Sequence, residues 1–477
     1  MKKIYLFLFP VCCLFFTACG NAWLDDLEPN TYVESSKSIK NDIDAEYALH
    51  GIMVHLRNYE YYGARMTFYA DAKGDDMQAN GNSKRVAKYY LFTFSREDSP
   101  SGFWNYPYKV IRNVNNVVEY VEGIPEAERS DKLKDIYGQV LTFRAMAHFD
   151  LVRIYGYPYT KDNGASLGVP VVGEKIDYTE KPSRNTVAQV YDQILKDLNA
   201  GSAFIGKKPT NVGINWFGNQ LLLARAYLYM GNDDKAYEVA TNLITEANAN
   251  KYRLWTNDEY PNVWAKDSDD LEMFFRLIVK SGEVNDSKEF IGYLYAEKPG
   301  YDDSVLTSDF IDLLNEDPDD IRHNIVRKGS KNNYLMKYPA NASDAGDHTF
   351  ADIPVLRLSE AYLIAAEAAV KKNDKKNAAF YLNAIVNRAN PDMRVAEDDV
   401  TLDRVLIERR KEFVGEGHRF FDAMRNGKKI ERTGKSHTSV LLTAEAKSFD
   451  WNWSKIVMAI PRAEIDANSN IVQNPGY

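Results

Sequence analysis

Apolar residues recur every three to four positions through most of this chain, and that spacing predicts a mainly α-helical protein. Helical patterns run from about Asp42 to Tyr61, from Trp104 to Glu122 and from Asp131 to Tyr155. The last carries Leu141, Ala145, Phe149 and Val152 on one face. A fourth follows Ser183, whose hydroxyl is placed to cap it, and brings Val187, Val190, Tyr191, Ile194 and Leu198 together.

Two later stretches, Asn219 to Thr245 and Ala361 to Asn387, resemble each other. An offset of 142 residues aligns Ala224 with Ala366, Ala226 with Ala368, Gly231 with Asn373, Ala236 with Ala378 and Ile244 with Val386. Each stretch reads as a helix, a short Gly/Asn/Asp turn and a second helix. Small residues fall where two helices must approach closely, the logic of a tetratricopeptide-type pair. The repeats are not in tandem, so a plain solenoid is not expected. Insertions on one face of such a scaffold are where binding normally resides. The insertion from Tyr62 to Pro100 is rich in Asp, Gly, Asn and aromatic residues. The one from Tyr252 to Gly329 mixes Trp255, Trp264, Tyr293, Tyr295 and Tyr301 with Asp, Ser and Pro, and holds a short strand at Glu272 to Val279. The reading is a helical scaffold over about 41–61, 104–155, 184–250 and 354–425, with an irregular, loop-rich subdomain over about 62–103 and 252–350.

The N-terminus changes the picture from any globular protein to an exported one. Lys2 and Lys3 precede an apolar run from Ile4 to Phe16, and Phe16-Thr17-Ala18-Cys19 reads as a lipobox. The run is 13 residues, short of the roughly 20 that a spanning helix needs. Residues 1–18 are therefore expected to be a signal peptide, Cys19 the lipidated residue and 19–40 a tether. Of Cys12, Cys13 and Cys19 only the last survives cleavage, so the 459 remaining residues of 477 can form no internal disulfide. Losing Lys2 and Lys3 takes the formal charge from −9 to −11. With no long basic run, nucleic acid is excluded as the main partner. The 31 Tyr, 22 Phe and 7 Trp exceed what a core needs, so some rings should be exposed and bind.

Catalytic motifs fail on context. Gly164-Ala165-Ser166-Leu167-Gly168 matches a nucleophile elbow, but Pro170 blocks the helix that must follow. The seven histidines are scattered without metal-ligand spacing, and no phosphate loop or dinucleotide fingerprint is present. No catalytic residue, cofactor or transition-metal site is expected. The acidic clusters Asp267-Ser268-Asp269-Asp270 and Asp317-Pro318-Asp319-Asp320 lack calcium-loop spacing and read as turns or caps. Glu408, Glu412, Arg419, Asp422 and Arg425 alternate in sign at near-helical spacing and read as a structural ion-pair network.

In order along the chain, these segments resemble the SusD/RagB-type surface lipoproteins of Gram-negative polysaccharide-utilisation systems. The resemblance rests on Cys19 with Trp23-Leu24-Asp25, on Trp104, Tyr108, Ile111 and Asn115-Asn116, and on Phe143-Arg144-Ala145 with Tyr155-Gly156-Tyr157-Pro158. Arg184, Thr186-Val187, Tyr191, Ile194 and Asp197-Leu198 follow, then Leu356-Arg357-Leu358-Ser359-Glu360-Ala361 through Glu367-Ala368. Glu408-Arg409, Glu412, Glu416-Gly417-His418-Arg419 and the ending Gln473-Asn474-Pro475-Gly476-Tyr477 complete it. The resemblance implies about eight scaffold helices in four tetratricopeptide-like pairs, with no enzymatic activity. It implies a glycan or other oligosaccharide as ligand, captured outside the cell and handed to a TonB-dependent outer-membrane β-barrel of the SusC type. It also implies that Asp25 and Asp26 act as the acidic signal for outer-leaflet, outward-facing export. A peptide-binding lipoprotein of the same type is the alternative, and a lipid-anchored hydrolase a further one.

A sugar needs a flat aromatic platform beneath its C–H face and carboxylates, amides or guanidinium forks at its edge. Two loop regions offer both, and the family places its ligand face in equivalent loops. The expected ligand contacts are Tyr61, Tyr62, Asp71, Asp75, Asp76, Asn80, Asn82 and Arg85 in the first, and Trp264, Tyr293, Tyr295 and Tyr301 in the second. Tyr293 and Tyr295 alternate in a strand-like run, so one of the two is expected in the core.

Overall fold

In the computed structural model, residues 38–173, 179–210, 213–265, 271–284, 287–297, 301–339, 347–432 and 434–477 are described. Cys19, Asp25, Asp26, the signal peptide and most of the tether lie outside these residues, as does the cluster Asp267 to Asp270.

Eight long helices form the scaffold among the described residues: α1 (Asp42–Arg57), α2 (Ser101–Glu122), α3 (Asp131–Tyr155), α4 (Val187–Ser202), α5 (Trp216–Tyr229), α6 (Asp233–Ala249), α7 (Leu358–Lys371) and α8 (Lys375–Ala389). Each packs on the next, without a break, from α1 to α8. The chain is thus mainly α-helical, with four helical pairs of tetratricopeptide type. The pairs that are far apart in sequence are neighbours in space: α6 meets α7 directly, and the whole insertion between them loops out.

The repeat at an offset of 142 holds down to single hydrogen bonds. Gly231 and Asn373 both take the left-handed conformation, at φ 72° and 60°. Glycine and asparagine tolerate that region best, which is why they end α5 and α7. The next residues, Asn232 and Asp374, cap α6 and α8 by accepting from the backbone N–H of Lys235 and Asn377. Their own N–H groups close the preceding helices on the carbonyls of Tyr227 and Ala369.

The fourth scaffold helix begins later than the sequence suggested. Thr186, not Ser183, caps α4: its hydroxyl accepts from the N–H of Gln189, whose side chain reaches back to the N–H of Thr186. This reciprocal capping box satisfies two helix-end donors, which a lone Ser183 hydroxyl outside the turn cannot do.

The strands serve the insertions. β1 (Met77–Ala79), β3 (Ser304–Leu306), β5 (Asn333–Leu335) and β4 (Val326–Lys328) form an antiparallel sheet in that spatial order, with Met77 opposite Leu306. This sheet joins the first insertion to the second. β2 (Met273–Leu277) pairs with β6 (Ile353–Arg357), and the N–H of Leu358 at the start of α7 donates to the carbonyl of Glu272. Two further helices, α9 (Leu402–Phe413) and α10 (Arg419–Arg425), lie between scaffold and insertions.

Candidate ligand-binding site

The expected contacts divide into a buried set and a rim. Tyr61 is fully buried, and its hydroxyl donates to Asp150 at 2.6 Å. Tyr62 is buried beside it, with ring centroids 4.8 Å apart. Asp71 is buried and accepts from the N–H groups of Gly415 at 3.0 Å and Gly417 at 2.8 Å. Burial pushes its carboxyl up to about 7 despite these bonds. Gly415 and Gly417 both have φ of 79°, and a Cβ on Gly415 would fall 2.0 Å from a methyl of Leu335, so only glycine fits there.

Asp75 and Asp76 are ion-paired, not free. Burial raises the Asp75 carboxyl, but Arg419 at 2.6 Å and Arg410 hold it well below the usual carboxylate range. Asp76 takes both arms of Arg410, the closer at 2.6 Å. Arg432 fixes the same turn by donating to the carbonyls of Ala72, Gly74 and Tyr90. Tyr295 is 1% exposed and packs on Tyr338. The strand-like alternation at Tyr293 and Tyr295 is in fact a turn of helix, Ile291–Tyr295, which sends one ring inward and leaves the other half-exposed. Trp264 is half-buried and edge-packed against Trp255 and Tyr260, with Lys337 and Arg357 over its face. The expectation that Tyr61, Tyr62, Asp71, Asp75, Asp76 and Tyr295 meet ligand is therefore corrected: each is spent on packing, capping or ion pairing, whereas Trp264 keeps part of its ring exposed beside Lys337 and Arg357.

The remaining residues gather at one rim. Tyr293 and Tyr301 meet edge to face with centroids 5.3 Å apart, and both are half-exposed. The Arg85 guanidinium lies 4.9 Å from the Tyr301 centroid, held there by Glu289 at 2.7 Å and Asp303 at 3.3 Å. The Asn80 amide donates to Asp302 at 2.7 Å, and the turn it opens leaves Asn82 exposed. Asp303 ties this turn down by accepting from the N–H groups of Lys84 and Arg85, both at 2.7 Å. Aromatic faces, amides, a guanidinium fork and a carboxylate thus converge on one partly open surface. Glu289, Asp302 and Asp303 complete it and were not singled out from the sequence; their position among the acids flanking Tyr301 was the available signal.

Beneath lies a seam of buried ion pairs. Arg357 bonds Glu272 at 2.7 Å, Glu412 at 3.0 Å and Glu416 at 2.8 Å. Arg322 pairs with Glu408 at 2.6 Å and Asp320 at 2.7 Å, and Arg388 with Glu412. Arg425 pairs with Glu367 and Asp422, and Arg409 with Asp422. These are the alternating charges of α9 and α10, and they stitch insertion to scaffold. Asp317 and Asp320 serve there too, accepting from Asn390 and capping Arg322. Ser166 sits in a loop whose neighbour Leu167 bridges to Thr186, with no strand before it or helix directly after, so no nucleophile elbow forms. No cluster of three metal-ligating side chains occurs among the described residues, and none of their helices is long and apolar enough to cross a membrane.

Comparison with known proteins gives one consistent answer. Residues 316–477 match the model of the SusD family, and residues 22–228 match a model described as starch-binding associating with outer membrane. A putative sugar binding protein from Bacteroides vulgatus is 42% identical, with 92% of this chain and 100% of that one covered and a TM-score of 0.87. A SusD superfamily protein from Bacteroides thetaiotaomicron is 38% identical over 91% of this chain and all of that one, with a TM-score of 0.86. A SusD-like protein of Formosa agariphila is 22% identical, over 86% of this chain and 88% of its own length.

Proposed function

This chain belongs to the SusD family, and on that premise we propose that it is a glycan-binding lipoprotein, anchored through Cys19 at the outer membrane and facing the cell exterior. It captures an oligosaccharide and delivers it to a TonB-dependent β-barrel. It binds its ligand and does not transform it.

The observation that carries this reading is the rim formed by Tyr293, Tyr301 and Arg85. Half-exposed rings held by an edge contact offer aromatic surface to a sugar at little entropic cost, with the Tyr301 face shared with Arg85 and Lys288. Asn80, Asn82 and Asp302 supply hydrogen-bonding groups nearby, and the Arg85 fork lies over Tyr301. A relative 42% identical described as sugar binding supports the same ligand class. The lipobox supports the anchor, since a triacylated cysteine buries enough chain to hold a protein stably on a membrane.

Calorimetric titration of the mature chain against a panel of oligosaccharides and peptides tests the ligand. Binding to an oligosaccharide with no chemical change over hours is expected; binding to peptides alone overturns the glycan reading. Cys19→Ala is expected to release the protein from the membrane fraction, and its retention there would sink the anchor.

A further inference from the structure

The helix α1 is apolar on two opposite faces. Ala45, Leu49, Ile52 and Leu56 are buried, and the helix packs on α2 and α3. Ile43, Tyr47, His50 and Val54 lie on the other side and are exposed, the three large apolar ones by 56%, 67% and 57%. Their spacing of four, three and four residues keeps them within about 60° of arc, the seam by which one helix packs on another. Three of the eight exposed large apolar side chains among the described residues stand in this one row. At its C-terminal end the row opens into a groove of about 580 Å³, walled by Met53, Val54, Leu277 and Ile278.

We propose that this face pairs with α1 of a second copy of the chain, antiparallel and about a twofold axis. The inference is independent of the glycan-binding reading.

Three observations select that occupant. The first is Gly51, which borders the row. A Cβ built there meets nothing within 4 Å, so packing within the chain does not require glycine. Glycine inside a helix weakens it relative to alanine, and the close crossing of a second helix accounts for it. The second is charge. Asp42, Asp44 and Glu46 mark the N-terminal half of α1, facing Lys40 and Lys132, of which Lys132 pairs with Glu46 at 2.7 Å. Around the C-terminal half stand Arg57, Lys109, Arg112 and Lys280, with Glu283 paired to Arg57 at 2.6 Å. Burial, then Lys109 and Arg112, push the His55 imidazole down, which places both cations beside that half. The Arg276–Asp352 pair in the groove is neutral. Among the described residues the first end thus has one acid in excess and the second three cations. An antiparallel copy sets the acidic end of each helix against the basic end of the other, and opposes the helix dipoles; a parallel copy sets like against like. The third is shape. In the antiparallel register Tyr47 faces His50 of the second copy, and Ile43 faces Val54 of the second copy at the mouth of its groove. A knob at one end and a groove at the other are self-complementary, as twofold pairing requires. A lipid surface calls for neither seam spacing nor a glycine.

The test uses the mature chain carrying Cys19→Ala, which has no other cysteine. Sedimentation velocity is expected to show a monomer–dimer equilibrium that moves with protein concentration. Tyr47→Glu and Val54→Glu, both at exposed positions, should each weaken pairing tenfold or more at an unchanged melting temperature. Gly51→Ala should raise the melting temperature and still weaken pairing at least threefold. For the arrangement, Ile43→Cys and Val54→Cys are made in separate chains and mixed under mild oxidation. Cross-linking between the two variants and little within either alone is expected, because like positions stand about 16 Å apart in the antiparallel pair. A single chain at every concentration, pairing that survives both glutamate variants, or cross-linking of each variant only with itself overturns the inference. Binding of the single chain to lipid vesicles that Val54→Glu abolishes, with no dimer, overturns it too and assigns the row to the membrane. Glycan binding at the rim stands in every case.

Discussion

The ion-paired seam and the rim are built from the same residue types and behave in opposite ways. In the seam, Arg357, Arg322 and Arg425 are about 2% exposed and face carboxylates that are equally buried. At the rim, Arg85 keeps a fifth of its side chain exposed, and its partner Glu289 a third. Taking charges out of water costs several kcal/mol per ion, so a buried pair survives only with its partner present. A half-exposed pair loses little when broken and is free to exchange partners with a ligand. Depth, not residue type, separates the seam pairs from the Arg85–Glu289 pair.

The sharpest way to break that contrast is Arg357→Ala. It takes the shared cation from Glu272, Glu412 and Glu416, leaving them only Arg388, Arg322 and Lys337, and urea unfolding should show a loss of about 3–5 kcal/mol, or no folded protein. A loss under about 1 kcal/mol would place the seam with surface pairs. Next comes Glu360, which pairs with the buried Arg225. Burial raises its carboxyl, but Arg225 brings it down to about 2, below the 4.5 of a free glutamate. Its contribution is therefore present above pH 4.5 and lost as pH falls through 2. Glu360→Gln should cost about 3 kcal/mol near neutrality, and the difference from wild type should shrink as acid approaches pH 2. A difference that does not change with pH would show that the pair is not the source. At the rim, Tyr301→Ala should leave melting temperature unchanged and weaken oligosaccharide binding about tenfold, or roughly 1–2 kcal/mol. A melting shift with no change in binding would move Tyr301 into the structural class. Smallest of all, Asn82→Ala should alter stability by less than about 0.5 kcal/mol, with its effect confined to affinity.

The same distinction explains what was legible in the sequence. Helices were, because spacing along the chain encodes them: the offset of 142 carried through to the Gly231 and Asn373 turns and their caps. The start of α4 was misjudged by three residues because Ser183 and Thr186 are both good caps, and only the Gln189 reply distinguishes them. Asp75 and Asp76 looked like free loop acids. Their partners Arg419 and Arg410 lie more than 330 residues away, and no local pattern shows a pairing of that length. Of the residues expected to meet ligand, Arg85, Tyr293 and Tyr301 pack against one another, and Asn80 lies on the loop that bonds Asp302 beside them. Tyr295 was lost to the core because a helical turn, rather than a strand, decides which of two nearby rings points outward.

The direct meeting of α6 with α7 has an evolutionary consequence. The chain between them departs and returns at almost the same place, so it is a loop in the topological sense however long it grows. Closing a longer loop costs only logarithmically more, about 0.6 kcal/mol per doubling. Descendants of this protein can therefore lengthen, shorten or rewrite that segment and acquire a taste for different molecules without re-solving the packing of the helices. The anchors that must be inherited with it include Glu272, Arg322, Lys337 and Arg357, which α9 and its neighbours grip, and Phe274 and Phe275, which pack on Phe217 and Phe143 of the scaffold.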